Sequence, residues 1–137
     1  MSFTKEQITS QWLAGFFDGE GCVCASYDKR RNYWTISVTI AQKNFEIIAL
    51  ISTLFPRGSI CIRGSGVSHV CWSGEASLPV LNFIKDFVVL KKQQVEYGIQ
   101  LASTFRCNHR RAIGKGKMSL RVLLGESIKK LNEGRVM

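Results

Sequence analysis

The spacing of apolar residues along this chain changes several times, and each change marks an element. Between Ser10 and Glu20 the spacing is helical. Trp12, Leu13, Phe16 and Phe17 share a broad apolar face, while Gln11, Ala14, Gly15, Asp18 and Gly19 leave the opposite side nearly free of bulk. Strict alternation follows at once. Val23, Ala25 and Tyr27 alternate with Cys22, Cys24, Ser26 and Asp28; further on, Trp34, Ile36, Val38 and Ile40 alternate with Tyr33, Thr35, Ser37, Thr39 and Ala41. A period of two predicts two half-buried strands, and Lys29-Arg30-Arg31-Asn32 between them predicts a basic hairpin tip.

The helical period then returns. Asn44 suits the N-cap of a helix over 45–55, with Ile47, Leu50, Ile51, Leu54 and Phe55 as its stripe and Pro56 as its stop. A second hairpin is predicted next. Ile60 and Ile62 point inward, Cys61 and Arg63 outward; Gly64-Ser65-Gly66 turns; the return strand over 67–73 has Val70 and Trp72 inward and His69 and Cys71 outward. Ser77 and Pro79 open a helix with Val80, Ile84 and Phe87 on its stripe. Two more helices are expected, over 91–103 and over 119–133, the last carrying Leu120, Leu124, Ile128 and Leu131. The order αββαββα predicts an α+β fold with helices on one face of a four-stranded antiparallel sheet. The other face is left open.

A chain of 137 residues predicts one domain over 1–137, with its core in 5–105 and a basic loop and helix in 106–137. No apolar run approaches the ~20 residues of a membrane span, and Met1 to Ser10 is too polar for a secretory signal. The expected location is therefore inside a cell or an organelle such as a chloroplast or mitochondrion, with no membrane partner. The five cysteines are odd in number and irregularly spaced, and no Cys-x-x-Cys occurs. They are expected to be free thiols used as small packing residues.

Charge changes the picture most. With 19 Lys+Arg against 10 Asp+Glu the net charge is +9, which suits a polyanion. Arg106, Arg110, Arg111, Lys115, Lys117 and Arg121 fall in a stretch without a single acid, and Gly114 and Gly116 are expected to keep part of it non-helical. It reads as a phosphate clamp, with Arg110, Arg111, Lys115 and Lys117 as its contacts. A twisted antiparallel ribbon lies readily in the major groove. The candidate base-edge residues are Cys24, Ser26, Asp28, Thr35, Ser37, Thr39, Arg63, Ser65, Ser68, His69 and Cys71. At the tip, Lys29, Arg30, Arg31, Asn32 and Tyr33 would reach phosphates or outer base pairs.

The most specific signal is Leu13-Ala14-Gly15-Phe16-Phe17-Asp18-Gly19-Glu20-Gly21, a short helix that ends by delivering a carboxylate. This run resembles the LAGLIDADG signature of homing endonucleases, matching at Leu13, Ala14, Gly15, Asp18 and Gly21 and conservatively between them. The resemblance covers 5–105 and implies the αββαββα fold, with the sheet saddling duplex DNA and signature helices packed against each other. With one copy of the run per chain it implies a homodimer, whose seam would hold Gln11, Trp12, Ala14, Gly15, Asp18 and Gly19. It implies that Glu20, with the Gly19 carbonyl beside it, holds Mg²⁺ (or Mn²⁺). It further implies that Gln42 orients a water and that Lys91, or alternatively Lys92, lies near the scissile phosphate. Lys91 is preferred because Leu90 and Gln94 then both align. Glu46 departs from the basic residue of close relatives.

The function expected from this resemblance is a site-specific, metal-dependent cut of both strands of a long, near-palindromic DNA site, with no small-molecule substrate. The alternative is a non-catalytic binder such as an RNA maturase. Strand parity puts Gln42 on the buried row, so its role requires the strand to bend or end near Ala41.

Overall fold

The computed structural model describes residues 3–30, 33–105 and 115–133, with the backbone alone over 115–119. The first helix, α1 (Ser10–Glu20), starts where the Thr9 hydroxyl accepts a hydrogen bond from the Trp12 amide at 3.1 Å. It runs into strand β1 (Gly21–Asp28) with no loop. Gly21 permits this: any Cβ there would strike the ring of Phe17. Strand β2 (Tyr33–Gln42) returns antiparallel, with Gly21 opposite Ile40 and Asp28 opposite Tyr33.

Asn44 caps α2 (Phe45–Leu54) by accepting from the Ile47 amide at 3.3 Å. Strands β3 (Ser59–Ile62) and β4 (Ser68–Ser73) complete the sheet in the order β1-β2-β4-β3. A short turn of 3₁₀-helix leads into α3 (Leu78–Ile84), followed by α4 (Lys92–Ser103) and α5 (Lys115–Glu133). None of the described helices is long and apolar enough to cross a membrane.

One core fills the space between the helices and the inward rows of the sheet. Val23, Ile36, Val38, Ile40, Val70 and Trp72 meet Leu13, Phe17, Ile48, Ile51, Val80, Leu81, Ile84, Val95 and Leu101. The Trp72 indole donates to the Phe55 carbonyl at 2.7 Å, so this buried ring leaves no polar group stranded. Helix α5 packs on α4 and crosses onto β1 and β2. Leu124 and Ile128 are its buried anchors, and the Asn132 amide donates to the Val23 carbonyl on edge strand β1 at 2.8 Å.

Several expectations are corrected by this packing. Ile60 and Ile62 have inward parity, yet Ile62 is 62% exposed. They sit on edge strand β3, where contact with α2 leaves both side chains exposed. The stripe of α2 is buried through Ile48 and Ile51, while Ile47, Leu50 and Leu54 are only partly covered. Phe87 and Tyr27 are exposed, the first past the end of α3 and the second near the hairpin tip. Helix α5 begins at Lys115 and includes Gly116, so that part of the basic stretch is helical.

Gly125 marks where α5 lies closest to the sheet, because a Cβ at this position would overlap the six-membered ring of Trp34. Gly125→Ala is therefore expected to lower stability by about 1–3 kcal/mol, from forced repacking that outweighs the gain in helix propensity. Urea unfolding checks this; an unchanged midpoint would show that α5 docks more loosely.

Candidate active site and nucleic-acid interface

The end of α1 and the start of α4 hold each other through an exchange of charges. The carboxylate of Asp18 accepts from the backbone amides of Val89 at 2.8 Å and of Leu90 and Lys91 at 3.1 Å each. These amides belong to the turn that leads into α4, with Lys91 at its N-cap, and negative charge is favoured at this end of a helix. In return the Lys91 ammonium donates to the carbonyls of Phe17 at 3.1 Å and Asp18 at 2.8 Å, in the last turn of α1 where cations are favoured. Lys91 is only 2% exposed, and its ammonium lies 5.9 Å from the centroid of the Phe17 ring. Each helix end thus receives from the other the charge that suits its dipole.

Glu20 is the last residue of α1 and stands just beyond this clamp. It is exposed and, among the described residues, its carboxylate makes no hydrogen bond or ion pair. Because α1 passes straight into β1, the acid is fixed to helix and sheet at once. The register brings Gln42 to the same end of the sheet: Gly21 pairs with Ile40, so Gln42 lies two residues farther along β2. Its side-chain oxygen accepts from the Lys43 amide at 2.8 Å, and it remains half-buried opposite Ser68. The strand ends at Gln42 itself, one residue past Ala41, and leaves this side chain half-buried rather than in the core.

Glu20, Gln42 and Lys91 therefore converge on one region, but not in equal roles. Lys91 is not free to reach a phosphate through solvent; its ammonium is sealed behind the backbone of α1. Lys92, the alternative, is exposed at the first turn of α4. Glu46 is exposed in the first turn of α2, where an acid suits the helix dipole. No group of three or more His, Cys, Asp or Glu side chains among the described residues is arranged to hold a metal. What one chain offers is a single hard-oxygen donor in Glu20, beside the exposed backbone of Gly19.

The seam expected on α1 is redrawn. Ala14 is fully buried in its own chain and the Asp18 carboxylate is engaged by the amides ahead of α4, so both side chains are used within the chain. The open side instead carries Gln11, Trp12, Gly15, Phe16 and Gly19, with free space around both glycines. Trp12 stacks on Phe16 along it and Phe3 packs tilted against Trp12, each pair with ring centroids 4.9 Å apart.

On the uncovered sheet face the predicted outward residues stand in rows. Cys22 pairs with Thr39 and Thr39 with Cys71; Cys24 pairs with Ser37, Ser26 with Thr35 and Asp28 with Tyr33; Ala41, His69 and Cys61 share the row nearest the active-site end. Lys29 and Arg30 are exposed at one end, and Arg63 and Ser65 at the other. The Asp28 carboxylate accepts from the Arg30 amide at 3.0 Å, shaping the tip.

Ser68 is the exception. It is 2% exposed and lies on the same row as Val70 and Trp72, so it faces the core rather than a ligand. Arg31, Asn32, Arg106, Arg110 and Arg111 lie outside the described residues, as do the side chains of Lys115 and Lys117. Arg121 leaves the clamp altogether. Only 4% exposed, it donates to the Thr104 hydroxyl at 2.7 Å and carbonyl at 3.1 Å, and it stacks 3.9 Å from the Phe105 centroid. Burial lowers its pKa, and Tyr33 opposes that shift.

An α+β chain whose signature helix delivers an acid to the rim of an uncovered antiparallel sheet has the architecture of the homing-endonuclease saddle. The chain belongs to the LAGLIDADG endonuclease family, whose sequence model matches residues 13–99. It is 29% identical over 104 residues to the DNA endonuclease I-CvuI of Chlorella vulgaris; the match covers 70% of this chain and 65% of that protein's length. The fold is similar to a crystal structure of I-CvuI in complex with the I-CreI target, with a TM-score of 0.77 and 24% identity over 93% of this chain and 84% of that one. It is also similar to the archaeal intron-encoded homing endonuclease I-Vdi141I complexed with DNA, with a TM-score of 0.75 and 19% identity over 89% of this chain and 82% of that one.

The helix-end exchange should weigh heavily in stability. Asp18→Ala strands three amides and is expected to cost about 2–4 kcal/mol; Lys91→Met, which keeps the stem but strands two carbonyls, about 1–3 kcal/mol. The double variant should lose less than the sum, since each side chain serves the same junction. Denaturant midpoints of the four proteins test this, and strict additivity would mean that the two contacts act separately.

Proposed function

We propose that this chain is a site-specific homing endonuclease that, as a homodimer, makes a staggered double-strand break in a long, near-palindromic DNA site. The observation that carries this reading is Glu20: an exposed acid with no partner among the described residues, fixed at the junction of α1 with the open sheet face. The family membership and the DNA-bound relatives support it. Two copies of α1, meeting along the side that carries Trp12, Gly15, Phe16 and Gly19, would bring two such acids to the middle of a symmetric site.

Each group then has a definite task. The sheet face lies in the major groove and sets the register, while Lys29, Arg30 and Arg63 contact the backbone or outer bases. Glu20, with the Gly19 carbonyl beside it, would hold a divalent cation, for which oxygen donors and retained waters suit Mg²⁺ or Mn²⁺. When bound, such a cation supplies charge stabilisation at the phosphate and a more acidic water. Gln42 orients water at the same end of the sheet. Lys91 acts as a positioning residue: it holds the last turn of α1, and hence Glu20, in place. Its positive charge also lies behind the acid.

The test uses a library of random duplex sites, from which cut molecules are recovered in Mg²⁺. Wild type should enrich one family of near-palindromic sites. Glu20→Gln should leave binding of the enriched duplex within about threefold, as expected for a surface isostere, and abolish cleavage; chelation by EDTA should do the same to wild type. Tight binding with no cleavage of any site by wild type would contradict the proposal and favour a non-catalytic binder.

A further inference from the structure

The middle of the open sheet face is chemically unusual for a surface expected to read bases. Cys22, Thr39 and Cys71 form one row across β1, β2 and β4, and Cys24, Ser37 and Ser73 form the next. The Cys22 and Cys24 sulfurs are 3.1 Å apart, and the Cys71 sulfur lies 4.0 Å from the Ser73 hydroxyl. The four cysteines among the described residues form no disulfide, and all four have outward parity on this face. The Cys24 thiol is held firmly protonated. Its hydrogen bond with Cys22 has the largest effect, followed by burial and the nearby Cys22 and Cys71. These sulfurs are small, uncharged and weakly polar.

What is missing from these two rows matters as much. Bidentate reading of guanine needs Arg or Lys, bidentate reading of adenine needs Asn or Gln, and a cytosine amine needs Asp or Glu. None of these stands in either row. The one pyrimidine mark that a small apolar side chain recognises in the major groove is the C5-methyl group of thymine. The charged residues of the face are at its two ends, so the chemistry changes along the groove from backbone contacts to methyl contacts.

Building on the endonuclease reading above, we infer that the rows of Cys22, Thr39, Cys71 and Cys24 are specificity-determining contacts for thymine methyl groups. These thymines lie in each half-site between the cut and the outer base pairs. The duplex substrate is therefore A·T-rich at those inner positions, with thymine on the strand that faces the thiols. The neighbouring hydroxyls of Ser37 and Ser73 accept or donate single hydrogen bonds and discriminate weakly.

The first arm of the experiment varies the DNA and leaves the protein unchanged. Full-length protein is used to select bound duplexes from a random library in Ca²⁺, and the best site is resynthesised with uracil in place of thymine at one symmetric inner pair at a time. Uracil lacks only the methyl. At contacted positions each methyl removed should weaken binding about fourfold, the worth of one buried methyl-sized group. Uracil outside the inner rows should be neutral. Cys71→Ser and Cys22→Ser, which keep size but replace sulfur with a hydroxyl, should each erase the thymine–uracil difference at one symmetric pair.

Selected sites with no recurring inner thymine, or inner uracils bound as well as thymine, would overturn the inference while leaving the endonuclease reading intact. Failure to select any duplex would overturn both.

Discussion

Everything at the candidate site depends on the meeting of two helix ends. The C-terminus of α1 and the N-terminus of α4 are each a row of unsatisfied backbone groups with the opposite partial charge. Asp18 accepts from the turn that leads into α4, up to its N-cap amide, and Lys91 donates to two carbonyls in the last turn of α1. Burying an ammonium is costly in isolation, but here it is offset by two carbonyl acceptors and an aromatic face. The contact spans more than seventy positions in sequence and decides where the chain must go next. With α1 locked to α4 and running directly into β1, Glu20 has no loop in which to wander.

The same arrangement separates two surfaces that a linear reading tends to merge. The face of α1 bearing Leu13, Ala14 and Phe17 belongs to the core of its own chain. The side with Trp12, Gly15, Phe16 and Gly19 is left over and meets the sheet face at Glu20. A second copy seated there would join two sheets into one saddle, with charged tips toward the ends and small thiols and hydroxyls toward the middle. In this account affinity comes from the tips and the basic stretch, while discrimination comes from the middle. That division follows from charge placement, since phosphates run along the whole groove but base identity is exposed only inside it.

Much of the fold was legible in the sequence because period is a local property. Strand alternation located β1 and β2 within a residue of their ends, and Asn44 marked the start of α2 by a capping contact three residues long. The signature run disclosed Glu20 because its residues are contiguous. What escaped the sequence was whatever depended on distant neighbours. Parity put Ile60 and Ile62 inward, but only the sheet order shows that β3 is an edge with little above it. Ser68 looks like a surface hydroxyl until the register places it beside Val70. Arg121 belongs to a basic run, yet Thr104 and Phe105 draw it inward, and Lys91 resembles a catalytic lysine while serving as a helix cap. The helical wheel misassigned Ala14 because a small residue on a helix suits either a tight core or a tight partner.

On the proposed reading one chain carries half of a catalytic centre, and the other half joins along the open side of α1. Sedimentation of the protein on its selected duplex, in Ca²⁺ to hold the complex before cleavage, counts the chains directly. Two chains per duplex are expected. A single chain bound to a site that is nonetheless cut on both strands when Mg²⁺ is added would contradict it.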